Sequence, residues 1–146
     1  MQSGFLDSWQ VWALLSAVFA ALTAIFAKVG VEGVNSDFAT FIRTIVVLGA
    51  LGLIVLGTGQ WQPLDSISRR TYLFLVFSGL ATGASWLCYF RALKLGDAAR
   101  VAPLDKLSTV LVAIVGVMFL GERLSAANWG GVALITGGVL LVAYKG

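Results

Sequence analysis

Apolar residues run in five long blocks, and short polar segments interrupt them. The blocks cover about Trp9 to Val29, Phe38 to Leu56, Tyr72 to Leu93, Ala99 to Leu120 and Ala127 to Tyr144. Each comes close to the roughly 20 residues that a helix needs to cross the hydrocarbon layer of a bilayer. The pattern predicts an all-α membrane protein built as a bundle of five transmembrane helices. Five spans use about 100 residues, and the chain has 146. The remainder makes two short tails and four short connections, with no room for a soluble domain. We therefore read residues 1–146 as a single transmembrane domain.

The connections carry turn chemistry. Gly30 to Asp37 separates the first two spans, and Asp37 is a candidate cap for the second helix. Gly57 to Arg70 is the longest connection, and its Trp61 suits a membrane interface. Lys94 to Asp97 reads as a tight loop. Gly121 to Ser125 is another, with Ser125 as the expected N-cap of the last helix. Gln2 to Ser8 lack the basic region of a secretory signal, so the first span reads as a retained helix.

Composition sharpens this picture. Hydrophobic residues make up 59% of the chain and charged residues 12%. A soluble domain is about half apolar and about a quarter charged. A soluble enzyme, a disordered tail and a free nucleic-acid binder are thereby disfavoured. The net charge of +3 is spread over single basic residues, with no stripe that would suit a nucleic acid. Histidine is absent, which removes the commonest general base and transition-metal ligand. The single cysteine, Cys88, lies in an apolar run and is expected to be a small buried hydrophobe. There is no metal-ligand spacing, no nucleophile–base set, no P-loop and no dinucleotide fingerprint. No cofactor and no metal is expected.

An odd number of spans puts the two ends on opposite sides of the membrane. One side holds Arg69, Arg70 and Arg123. The other holds Lys28, Arg91, Lys94, Arg100 and Lys145. The excess of basic residues points the C-terminus to the cytoplasm. So small a bias also suits a chain that inserts both ways. Small residues recur every fourth position at Ser16, Ala20 and Ala24, at Gly79 and Gly83, and at Ala127 and Gly131. Such rows let helices approach closely. Packing within the bundle is the first expectation for any one pair, and a dimer interface is the second.

Three charges fall inside spans. Arg43 lies about six residues into the second span, and Asp105 and Lys106 lie about six residues into the fourth, each about 9 Å deep. Both spans begin on the same side, so all three belong to one half of the bilayer. Each would cost about 2.5 kcal/mol or more if it faced lipid. Neighbours in sequence point about 100° apart on a helix, so Arg43 is the better partner for Asp105 than Lys106 is. Trp86 and Tyr89, nearby in the third span, complete a candidate small-molecule site, with Thr44, Ser85, Ser108 and Thr109 as hydrogen-bonding groups. Those hydroxyls can equally bond back to their own helices. A structural salt bridge between the second and fourth spans is the competing reading. Pro103 either frees a backbone carbonyl or marks a first helical turn. Glu122 and Arg123 read as an interfacial pair.

The run YFRALKLGDAARVAPLDKLSTVLVAIVGVMFLGERL from Tyr89 to Leu124 resembles an EamA-type domain of the drug/metabolite transporter superfamily. ALLSAVFAALTAIFAKVGV near the start and FIRTIVVL in the second span extend the resemblance over essentially the whole chain. Most members of that superfamily carry two such domains as inverted repeats around a central cavity. This chain is similar to the five-span, single-domain subfamily. The resemblance implies half of an inverted-repeat transporter fold, completed by an antiparallel homodimer with dual topology in the cell inner (plasma) membrane. It also implies a secondary transporter that moves a small polar or amphipathic metabolite by alternating access. Span one has no acid between Trp9 and Ala27, unlike the small multidrug resistance relatives, so their glutamate mechanism does not carry over. In the transporter reading the substrate-binding residues are Arg43, Thr44, Trp86, Tyr89, Asp105, Lys106 and Ser108. Arg43 and Lys106 hold an anionic group, and Asp105 balances charge or carries a proton. The alternative is a non-transporting membrane accessory or lipid-handling subunit. A membrane-embedded enzyme, without a catalytic group, trails both.

Overall fold

A computed structural model describes residues 8–144. The segment Gln2 to Asp7 and the Lys145 counted among the basic residues lie outside the described residues. Six α-helices form among the described residues: α1 (Trp9–Gly30), α2 (Ser36–Gly57), α3 (Arg69–Leu95), α4 (Ala98–Asp105), α5 (Leu107–Phe119) and α6 (Ala126–Ala143). No strand occurs among the described residues. α4 and α5 together make one of five segments long and apolar enough to cross a membrane. The protein is an all-α membrane protein with five spans.

Its outward residues fit lipid and not water. Leu53, Leu134 and Leu141 are 74%, 79% and 78% exposed. Large apolar side chains this exposed recur along every span. Each would be stabilised by about 1.5–3 kcal/mol on leaving water, so a solvent of acyl chains is what lets the helices stand.

The expected fourth span differs in one respect: it is broken at Lys106. Pro103 sits inside α4, so the helix already runs there. Proline has no N–H for the carbonyl four residues earlier, that of Ala99. The backbone tightens beyond it. Lys106 N–H donates to the Pro103 carbonyl at 2.9 Å, and Thr109 N–H donates to the Lys106 carbonyl at 3.0 Å. α4 ends, and α5 restarts one residue later.

The chain divides into two compact units. The first holds α1 through Ala27 and the chain from Gly96 onward. In it α4 and α5 both pack on α6, and Ala24, Ala27, Gly116 and Val139 are buried. The second unit, Lys28 to Leu95, is a helical hairpin of α2 and α3. Its core comprises Val31, Ser36, Thr40, Phe90 and Leu93. On α2 the inward stripe continues through half-buried Arg43 and Val47. Those positions repeat at helical spacing, so one face of α2 meets the Trp86–Phe90–Leu93 face of α3.

The helix ends follow from local chemistry. Asn35, and not Asp37, caps α2: its side-chain oxygen accepts from the N–H groups of Asp37 and Phe38 at 2.9 and 3.2 Å. Asp37 instead lies in the first turn, where a carboxylate suits the helix dipole. Ser125 caps α6 as expected, in a reciprocal capping box with Asn128. Tyr72 donates its hydroxyl proton to the Leu64 carbonyl at 2.8 Å and pins the long connection, whose Leu64–Ser66 form a short 3-10 turn.

Two further expectations are corrected. Cys88 is exposed, not buried. It lies off the stripe that α3 turns to α2, and acyl chains shield a thiol from water as well as a protein core does. The Gly79–Gly83 face is open: a methyl group added at either glycine would meet nothing within 4 Å. That pair takes no part in packing α3 against α2 within the hairpin.

Candidate functional site

The hairpin brings together two residues that the sequence suggested separately. The Arg43 guanidinium carbon lies 4.1 Å from the centroid of the Trp86 ring. It also lies 5.5 Å from the ring of Phe90, a residue the sequence pattern did not single out. Trp86 and Phe90 are one helical turn apart on α3, so both rings face the same point of α2. Tyr89 is half-buried and is an electrostatic neighbour of Arg43. Phe90 could have been found by its four-residue spacing from Trp86, but a phenylalanine in an apolar helix gives little contrast.

Depth follows from the helix register. Arg43 is seven residues from the start of α2, about 10 Å along the axis. Phe90 and Trp86 lie about 8 and 14 Å from the end of α3. The guanidinium touches both rings, so it stays near the level of its own backbone and does not climb to the surface. Within the unit the acids are Glu32, Asp37 and Asp65. Asp37 is taken by Arg91, and Glu32 and Asp65 lie in the connections. No ion pair to Arg43 forms within the unit.

Thr44 donates back to the Thr40 carbonyl at 2.8 Å, and Thr40 does the same to Ser36. These hydroxyls satisfy their own helix. Thr109 likewise donates to the Lys106 carbonyl at 2.6 Å. Ser108 is exposed on α5.

In the other unit Asp105 pairs with Lys106, with 3.4 Å between Oδ2 and Nζ. The helical argument against this neighbour pairing does not apply, because Lys106 sits in the break between α4 and α5 and the regular turn ends there. The pair remains 36% and 53% exposed at Asp105 and Lys106. Glu122 and Arg123 form no ion pair with each other among the described residues. Gly121, at φ +71, turns the chain back so that Glu122 N–H donates to the Gly116 carbonyl at 3.1 Å. The Glu122 carboxylate then folds over the bare Cα of Gly116, where a side chain would collide with it.

One end of the hairpin is held by cations. Lys28 Nζ donates to the Leu93 carbonyl at 2.8 Å, and Lys94 Nζ donates to the Val34 carbonyl at 2.5 Å. Arg91 Nη2 donates to both oxygens of Asp37 at 3.0 and 2.9 Å. Lys28 also answers the partial negative charge at the end of α3. Among the described residues, no group of three or more His, Cys, Asp or Glu side chains comes together in a way that would hold a metal ion.

A model described as the EamA-like transporter family matches residues 7–144. A Sinorhizobium protein described as an uncharacterized transporter is 71% identical over 94% of this chain and 97% of its own length. An uncharacterized protein of Methanocaldococcus jannaschii is 25% identical over 94% of this chain and 98% of its own. A Bacillus subtilis protein described as an uncharacterized transporter is 24% identical over 92% of this chain but only 42% of its own length. No solved structure matches the chain to significance.

Proposed function

Since the chain belongs to the EamA-like transporter family, we propose that it is a secondary transporter of a small polar or amphipathic metabolite in the cell inner membrane. The observation that carries this reading is Arg43, held about 10 Å inside a span against the face of Trp86. A permanent charge at that depth is expensive and defaults to a role in a solute pathway. Trp86 and Tyr89 contribute the apolar side of the binding surface. Asp105, an acid within the fourth span, carries the coupling proton, and its neighbour Lys106 holds its charge in balance. The break at Lys106 agrees with this, because discontinuous helices are where transporters of this kind bind solutes and ions.

Alternating access needs two halves, and one five-span unit supplies one of them. The match to well under half of the Bacillus protein fits a unit that longer relatives carry with further sequence. The second half is an antiparallel copy of this chain, and the near-balanced basic residues of its two sides permit both orientations. The open Gly79–Gly83 face is available for that association.

Reconstitution tests the reading. Purified protein in liposomes should accelerate flux of at least one member of a panel of amino acids, organic acids, nucleobases, sugars and organic cations. Asp105→Asn should remove the response of that flux to a pH gradient. Cysteines placed at the two ends should be labelled from both sides of intact cells. A folded protein that moves no solute, with each end reached from one side only, would overturn the proposal.

A further inference from the structure

We propose that Arg43 makes the site selective for a monoanionic solute, a carboxylate in its simplest form, and that its stacking on Trp86 excludes organic cations. The inference rests on the solute-binding role proposed above and narrows it to one class of ligand.

The guanidinium is always protonated. Its neighbours in the hairpin are aromatic rings, not acids. A ring face attracts a cation through its quadrupole, by about 2 kcal/mol when desolvated, but it brings no negative charge. The site in this unit therefore keeps a net charge of one. A ligand with one negative charge neutralises it. A neutral ligand leaves the cost unchanged, and a dianion reverses its sign.

Geometry narrows the choice further. The guanidinium carbon lies over the Trp86 ring at 4.1 Å, and a ring face brings no oxygen lone pair to its N–H donors. Those donors form a planar fork that matches the two oxygens of a carboxylate. The same stack determines what is refused. An indole face is the best protein surface for an ammonium or quaternary ammonium group. In this protein that face is already covered, and the residue that covers it would repel a second cation.

A lipid phosphate diester is also a monoanion. It belongs at the bilayer surface, whereas the guanidinium is held about 10 Å below the start of α2. We assign the site to a dissolved solute on that ground, and the lipid becomes an arm of the test.

The test measures binding, separately from transport, on the full chain in nanodiscs. The probes are benzoate, benzyl alcohol and benzyltrimethylammonium, which share a ring and differ in charge. Calorimetric titration should detect benzoate and neither of the others. Arg43→Gln should weaken benzoate at least tenfold, and Arg43→Lys should recover part of the loss because the charge remains without the fork. Arg43→Gln should also acquire affinity for benzyltrimethylammonium, and Trp86→Leu in that background should remove it. Phosphatidylcholine and phosphatidylglycerol discs should give the same benzoate affinity.

Failure of wild-type protein to bind benzoate, binding that is indifferent to Arg43→Gln, or wild-type binding of the cation would each overturn the inference. Loss of benzoate binding in phosphatidylglycerol that added salt does not restore would also overturn it, by assigning the site to an anionic lipid headgroup. Benzoate binding that depends on Arg43, in a protein that moves no solute, would sink the transport reading and leave the anion site standing. Flux of an organic cation would do the reverse.

Discussion

If the Arg43–Trp86 stack stabilises the hairpin, the two side chains must be energetically coupled, and a double-mutant cycle measures that coupling. The four proteins are wild type, Arg43→Gln, Trp86→Leu and the double variant. The guanidinium carbon is 4.1 Å from the ring centroid, well within the roughly 6 Å reach of the interaction, and both residues are half-buried. Exposed pairs are worth about 0.5–1 kcal/mol and desolvated pairs about 2 or more. The expected coupling is therefore about 1–2 kcal/mol, a factor of about 5–30 in the folding equilibrium. Packing that Trp86→Leu loses independently of Arg43 cancels in the cycle. Reversible unfolding in mixed micelles, followed by circular dichroism, supplies the four free energies. A parallel cycle with Phe90→Leu should give less, because that ring lies 5.5 Å away. A Trp86 coupling within about 0.3–0.5 kcal/mol of zero, the usual range for independent sites, would refute the stack as an energetic unit.

Two other outcomes follow from local geometry. Gly121→Val should lower stability by more than about 1 kcal/mol, because φ is +71 there. Gly116→Ala should cost less, since the colliding atoms are the movable end of Glu122; a thermal melt of both variants that reversed this order would contradict the turn geometry. Cys88, if acyl chains surround it, should resist both apolar and charged maleimides in intact membranes, because the thiolate needs water to form, and should react after denaturation in detergent; ready labelling in intact membranes would place it beside water instead of lipid.

The five spans were legible because crossing a bilayer demands a length of apolar chain that a simple block pattern reports. The break at Lys106 was less so. Pro103 announced a disturbance, but whether the helix already ran there depended on where α4 began. That start lies at Ala98, just after the two-residue connection Gly96 and Asp97, where several capping arrangements are open to the chain. Asn35 and Asp37 are both good caps, and only the backbone decided between them.

The site was half legible. Arg43 stood out as a charge in an apolar block, and Trp86 as an aromatic near the same side. Their pairing required the rotation of α2 against α3, which the polar stripe Ser36, Thr40 and Arg43 encodes at helical spacing. Asp105 and Lys106 stood out equally. Their mutual pairing depended on irregular backbone at Lys106 that no periodicity forecasts. Cys88 was misplaced for a different reason. The tendency of free cysteine to be buried describes proteins whose alternative is water, and in a bilayer the outer surface is itself an oily place.

The ties from Lys28, Arg91 and Lys94 bear on how such a protein can be re-engineered. The same three basic residues count on the more positive side of the chain, the side that the positive-inside tendency favours in the cytoplasm. Deleting them to flip the polypeptide would also unfasten the end of α1 and the start of α2 from the end of α3. Orientation is better steered by adding lysines to the Thr58–Ser68 stretch on the opposite side, which leaves those fastenings untouched.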